Sequence, residues 1–113
     1  MGNRVSVSFI NDGEESVALF NHWGGKEFVD KTIDYVKNLR RRVVTKKKHI
    51  SDPISRLEPD TVMVDFIRAI TANMSIVRDT LYLGKDSSAG DNSDAGHWVI
   101  DVIKVKAKKR YTL

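Results

Sequence analysis

In the stretch RVSVSFI, Val5, Val7 and Phe9 alternate with Ser6 and Ser8. A period of two places the first three on one side of a strand, against a core, and the serines on the other, toward water. Asn11, Asp12 and Gly13 follow, residues that tolerate positive φ, and SVALFNH resumes the apolar run, so the pair predicts a β-hairpin with a short loop. After Gly25 the period lengthens to that of a helix. Phe28, Val29, Ile33, Val36, Leu39 and Val43 make one stripe, and Lys31, Asp34, Lys37 and Arg41 lie on the other side. Glu27 and Asp30 in its first turn and Arg40, Arg41 and Arg42 near its end suit the helix dipole. SDPISRLEP breaks the pattern, and Pro59 suits the first position of a second helix striped by Met63, Phe66, Ile67, Ile70, Met74 and Val77.

DTLYLG, stopped by Gly84, predicts a third strand, and KDSSAGDNSDAG a polar loop. HWVIDVIKVKA then alternates as one long final strand, running into a basic tail that reads as flexible from about residue 106. The predicted fold is α+β in the order ββααββ: a four-stranded antiparallel sheet with two helices packed on one face, in a single domain spanning residues 1–113. His22-Trp23 closes the second predicted strand and His97-Trp98 opens the last. If those strands run antiparallel and lie close together, both pairs fall at the same end of the sheet.

With 113 residues the chain can bury a core without staples, and without cysteine it has no disulfides, thiolate metal site or cysteine nucleophile. No run approaches the length of a membrane helix, so the expectation is a soluble, cytoplasmic protein with no membrane partner. Met1-Gly2-Asn3-Arg4-Val5-Ser6 fits the myristoylation pattern, a short match of low specificity. Asn73-Met74-Ser75 is a glycosylation triplet inside a predicted helix, and is discounted.

Charge changes the picture more than composition does. The net charge is +4, yet six basic residues lie in RRRVVTKKK (40–48) and five in KVKAKKR (104–110), which leaves the remainder net negative. Such polarity suits a basic face turned to a polyanion. The candidate nucleic-acid contacts are Arg40, Arg41, Arg42, Lys46, Lys47, Lys48, Lys104, Lys106, Lys108, Lys109 and Arg110, brought together if the end of the first helix lies near the end of the last strand. Binding of this kind is non-specific and salt dependent. A solvated helix end and a solubilising tail would produce the same composition.

The segments MGNRVSVSF, LFNHWGG and TLYLG…DNSDAGHWVID resemble a family of small phage, prophage and microbial proteins that open with MGNR and carry an HW(N)GG-like motif. Trp23 meets Gly24 directly here, where that pattern has an asparagine between them. The resemblance implies a common fold and a microbial or mobile-element setting, and carries no known activity.

Three weaker sites remain. Gly24, Gly25 and Lys26 can offer helix N-terminal N–H groups to an anion, or simply permit a sharp strand-to-helix reversal while Trp23 covers the core edge. Asp86, Asp91, Asn92, Ser93 and Asp94 supply hard oxygen donors of the kind calcium prefers, without EF-hand spacing, and His22 and His97 can add nitrogen ligands for zinc with Asp94 or Asp101 as a third, so the candidate metal set is His22, His97, Asp91 and Asp94. His22, His97 and Asp101 with Ser87 or Ser88 lack any local catalytic frame, so no catalytic residue is assigned and no cofactor is expected. The final predicted strand is apolar on both faces, with Trp98, Ile100 and Val102 opposite Val99, Ile103 and Val105. Its uncovered face suggests protein interaction or homo-oligomerisation as the alternative to nucleic acid.

Overall fold

The last expected strand is divided, and a short extra strand at Glu14–Glu15 falls within the first expected loop; in both places a polar side chain accounts for the break. The computed structural model describes residues 3–43, 53–72 and 80–110. The myristoylation pattern's Met1 and Gly2, the basic residues Lys46, Lys47, Lys48 and His49, the Asn73–Ser75 triplet and the stripe position Val77 lie outside the described residues. The described elements are β1 (Val5–Asn11), β2 (Glu14–Glu15), β3 (Ala18–Asn21), α1 (Gly25–Arg41), α2 (Pro59–Thr71), β4 (Leu81–Gly84), β5 (Gly96–Asp101) and β6 (Lys106–Arg110).

Between β1 and β2, Asp12 and Gly13 both take positive φ, 52° and 80°, the mirror-image turn that a two-residue hairpin requires. The register then slips by one residue: Ile10 faces Glu15, but Val7 faces Leu19. Ser16 sits at the slip, and its hydroxyl accepts the Phe9 N–H at 2.9 Å while its own N–H donates to the Phe9 carbonyl. This bulge ends β2 and starts β3. At the other break, Asp101 Oδ1 accepts the N–H groups of Ile103 and Lys104, each at 2.9 Å, and the Val105 N–H donates to the Asp101 carbonyl. The chain reverses there, with Val105 held at φ 54°, an uncommon conformation for a β-branched residue. The single long strand expected over 97–107 is therefore a hairpin, and residues 106–110 pair in full register with β5.

The sheet order is β4-β3-β1-β5-β6, with β2 also paired to β1. It is mostly antiparallel, but β1 and β5 at its centre run parallel. The expected four antiparallel strands thus become six, with one parallel pair. Parallel neighbours need a crossover. Here residues 85–95 supply it, leaving β4 at one edge and returning across the sheet to start β5 beyond β1.

Both helices cover one face. Val5, Val7, Phe9, Leu19, Ile100 and Val102 meet Phe28, Val29, Val36 and Leu39 of α1 and Val62, Met63, Phe66 and Ile70 of α2 in the core. Phe66 lies edge-on to Phe9, with ring centroids 5.4 Å apart, and 4.9 Å from Tyr35. At the far end of the helix pair, Asp65 ties α2 to α1. It accepts from Tyr35 Oη at 2.6 Å and from both terminal nitrogens of Arg42, and it also pairs with Arg68. Among the described residues no helix is long and apolar enough to cross a membrane.

Candidate functional site

The face without helices is not open, as the serine alternation predicted. Ser6 and Ser8 are fully buried and His97 is 1 % exposed. The crossover covers them. A Cβ on Gly90 would sit 2.7 Å from Tyr82 and 2.9 Å from Phe20, and one on Gly84 2.6 Å from Ala89, so the segment lies hard against the stacked Phe20–Tyr82 pair. Its ends are pinned: the Asp91 N–H donates to Tyr82 Oη, the Arg4 N–H to Asp94 Oδ2, and the Ala95 N–H to the Arg4 carbonyl.

Under the crossover a chain of hydrogen bonds runs across the strands. Ser8 Oγ donates to Glu15 Oε2 at 2.6 Å, because an ionised carboxylate can only accept. Ser8 Oγ therefore accepts from His97 Nε2, 2.9 Å away, which fixes the neutral ring as the Nε2–H tautomer. Nδ1 is then the acceptor for the Ser6 hydroxyl at 2.6 Å, and Ser6 Oγ in turn accepts from Asn92 Nδ2 at 2.9 Å. Asn92 Nδ2 also donates to the Ser87 carbonyl. At the far end, Arg110 closes on Glu15 with two bonds of 3.0 and 2.7 Å. The four bonds that link Asn92, Ser6, His97, Ser8 and Glu15 all point the same way, from Asn92 toward Glu15. Burial works to raise the Glu15 carboxyl, but Arg110 and Ser8 outweigh it and hold it below its usual range. Burial first, then the Arg110 charge, lower the His97 pKa, with Glu15 opposing both. The Ser6–His97 pair has the reach of a nucleophile and its base, yet both residues are sealed from any substrate in this arrangement.

Beside this buried chain lies an open depression of about 710 Å³, floored by Ile10 and Val99 and lined by Asp101 together with Lys104, Lys106, Lys108 and Arg110. Lys106, Lys108 and Arg110 pair with Asp101, Val99 and His97, so they share the outer face. Lys109 points the other way, toward Gly96. The start of the first basic run lies beside the turn that leads into the second, since Arg40 donates to the Ile103 carbonyl at 2.7 Å and Arg41 is exposed in the same last turn. Arg42 instead turns to Asp65, and the Arg110 charge is matched by Glu15.

The two His-Trp pairs do fall at one end of the sheet, because Val5 faces both Asn21 and Gly96. They do not converge: His97 is enclosed, whereas His22 is exposed beside Tyr82, with ring centroids 5.4 Å apart. Asp91 and Asp94 are engaged with Arg4, and among the described residues no three His, Asp or Glu side chains gather as a metal site would require. At the glycine turn, Gly24 and Gly25 take φ 133° and 51°. The Gly25 N–H is used by the Asn3 carbonyl, while Lys26 reaches Asp30 at 3.0 Å and lies 5.1 Å over the Trp98 ring. Trp98, not Trp23, packs against the core edge, and Trp23 is 54 % exposed. Asp101 has its carboxylate committed to the β5–β6 turn.

Sequence reasoning singled out His97 and the acidic loop but missed Ser6, Ser8, Glu15 and Asn92 as partners. The available signal was a pair of small hydroxyl residues at alternate positions of a central strand, which suits a buried polar row as well as a wet face. Compared with protein-family models, curated proteins and solved structures, the chain matches none.

Proposed function

We propose that the protein is a binding module whose β5–β6 hairpin, with the last turn of α1, engages the phosphate backbone of nucleic acid without reading sequence. The observation that carries this is the row formed by Lys104, Lys106 and Lys108 along one open, apolar-floored depression. Lys106 and Lys108 are alternate residues of β6, about 6–7 Å apart, a spacing that lets them reach successive phosphates, and Lys104 joins them from the preceding turn. Arg40 and Arg41 extend the positive surface. Among the described residues no element is set to reach base edges, and the affinity is electrostatic. A microbial or phage-type setting, suggested by the MGNR and HWGG segments, belongs to the same proposal.

With three phosphates neutralised by the lysine row, the logarithm of the association constant for duplex DNA falls against log salt with a slope of about −2.7, roughly a fortyfold loss between about 50 and 200 mM. Fluorescence anisotropy with a labelled duplex measures the slope, and a slope near zero contradicts the reading. A second reading, association with another protein or a second copy through the outer face, is favoured by the apolar floor of the depression and by Ile103, 48 % exposed at the adjacent turn. Its signature is a dimer mass in solution that salt does not dissociate.

A further inference from the structure

We infer that residues 85–95 are a proton-sensitive flap: protonation of His97 releases Asn92 from Ser6 and lifts the segment from Phe20 and Tyr82. The inference concerns the outer face itself and stands whether or not that face binds nucleic acid.

The reason is the direction of the hydrogen bonds. In the closed form Ser6 Oγ gives its proton to His97 Nδ1 and accepts from Asn92 Nδ2. A proton on Nδ1 turns that nitrogen into a donor, so Ser6 faces two donors, and its own hydroxyl proton loses its acceptor inside a fully buried site. Turning the Asn92 amide over would offer Ser6 an oxygen, but the same oxygen would then oppose the Ser87 carbonyl that Asn92 Nδ2 now satisfies. The first arrangement keeps the Asn92 bond only with that buried hydroxyl proton unpaired, and the second sets two oxygens against each other, whereas opening lets water solvate the imidazolium, Ser6 and Asn92.

The charges around His97 decide the sign. Glu15 on β2, 3.7 Å from Nε2, and Asp86 at the start of the crossover favour the imidazolium. Arg110 on β6 disfavours it and already neutralises Glu15. Asp94 and Lys109 share with His97 a depression of about 200 Å³ at the crossover's edge. Burial outweighs the acids, so the closed form holds His97 below its ordinary pKa. A group depressed in the closed form stabilises closure above its ordinary pKa of about 6.5, and that contribution is lost as pH falls below it. What opening uncovers is the stacked Phe20–Tyr82 pair, 5.0 Å between centroids.

Hydrogen exchange on the intact protein reads the opening. The N–H groups of Ala89, Asp91 and Gly96, bonded to Asp86, Tyr82 and Asn92, report the flap, and those of β1 report global unfolding. After correction for intrinsic rates, the flap amides are expected to open up to roughly thirtyfold more often at about pH 5 than at about pH 7.5, and at both to open far more often than those of β1. Flap exchange that ignores pH, or flap amides that open no more often than those of β1, overturn the inference. Asn92→Ala is expected to expose the flap amides already at pH 7.5, and protection equal to that of the unaltered chain overturns the tether. If that variant does not fold, the pH comparison on the unaltered chain still decides.

Discussion

Neutralising the lysine row, as Lys104→Gln, Lys106→Gln and Lys108→Gln together, is expected to weaken binding to a generic duplex about a hundredfold at physiological salt. All three side chains are exposed and belong to no core contact, so the melting temperature should stay close to that of the parent chain. Each phosphate contact removed takes away nearly one released counterion, so three losses multiply and the salt slope flattens to the share left to Arg40 and Arg41. Glutamine is the better replacement here, because Lys106 faces Asp101 across the hairpin and a glutamate there would set two acids side by side. Altering Arg110 would be ambiguous in a way that altering Lys108 is not. Arg110 anchors Glu15 and, through Ser8, the buried histidine chain, so its loss disturbs packing and charge together. Anisotropy at fixed salt, paired with a thermal melt, separates the two effects.

The largest effect on stability is expected at Asp65. Asp65→Ala removes the acceptor shared by Tyr35, Arg42 and Arg68, and with it the polar tie between the two helices. Taking one partner from a largely buried ion pair costs about 3 kcal/mol, enough to lower the melting temperature by about 10 °C in a domain of this size. The pH dependence has a definite sign. Burial works to raise the Asp65 carboxyl, but the hydrogen bonds from Arg42, Tyr35 and Arg68 outweigh it and hold the group well below the usual carboxylate range. An acid depressed in the folded state stabilises the fold above its unfolded pKa, here 3.8, and loses that contribution as pH falls below it. Urea unfolding of both proteins at neutral pH and near pH 3 should therefore show the gap narrowing in acid. A gap independent of pH would mean that Asp65 acts by packing alone.

The helices were legible because their stripes obey a single period: Phe28, Val29, Val36 and Leu39 were named from the sequence and are buried in α1. Met63, Phe66 and Ile70 repeat this for α2. Strand boundaries were not legible, since Ser16 and Asp101 break their strands through hydrogen bonds to backbone groups that only the folded register brings near. Alternation in Val5–Phe9 correctly gave the two faces of β1, but it could not say that a crossover would roof the serine face. That roof follows from the parallel placement of β5 beside β1, a long-range pairing to which local periodicity is blind. The basic run at 104–110 was visible as charge. Its division into Lys106 and Lys108 on one face, Lys109 on the other and Arg110 on an acid needed the register of β6.

The most direct test of the phosphate-binding surface is an amide NMR titration of the labelled protein with a short generic RNA and a DNA duplex, at low and at physiological salt. Shifts that concentrate on residues 104–110 and the Arg40–Arg41 turn, and fade as salt rises, are the expected result. A spectrum that does not move at either salt would contradict it and leave the lysine row as solvated surface.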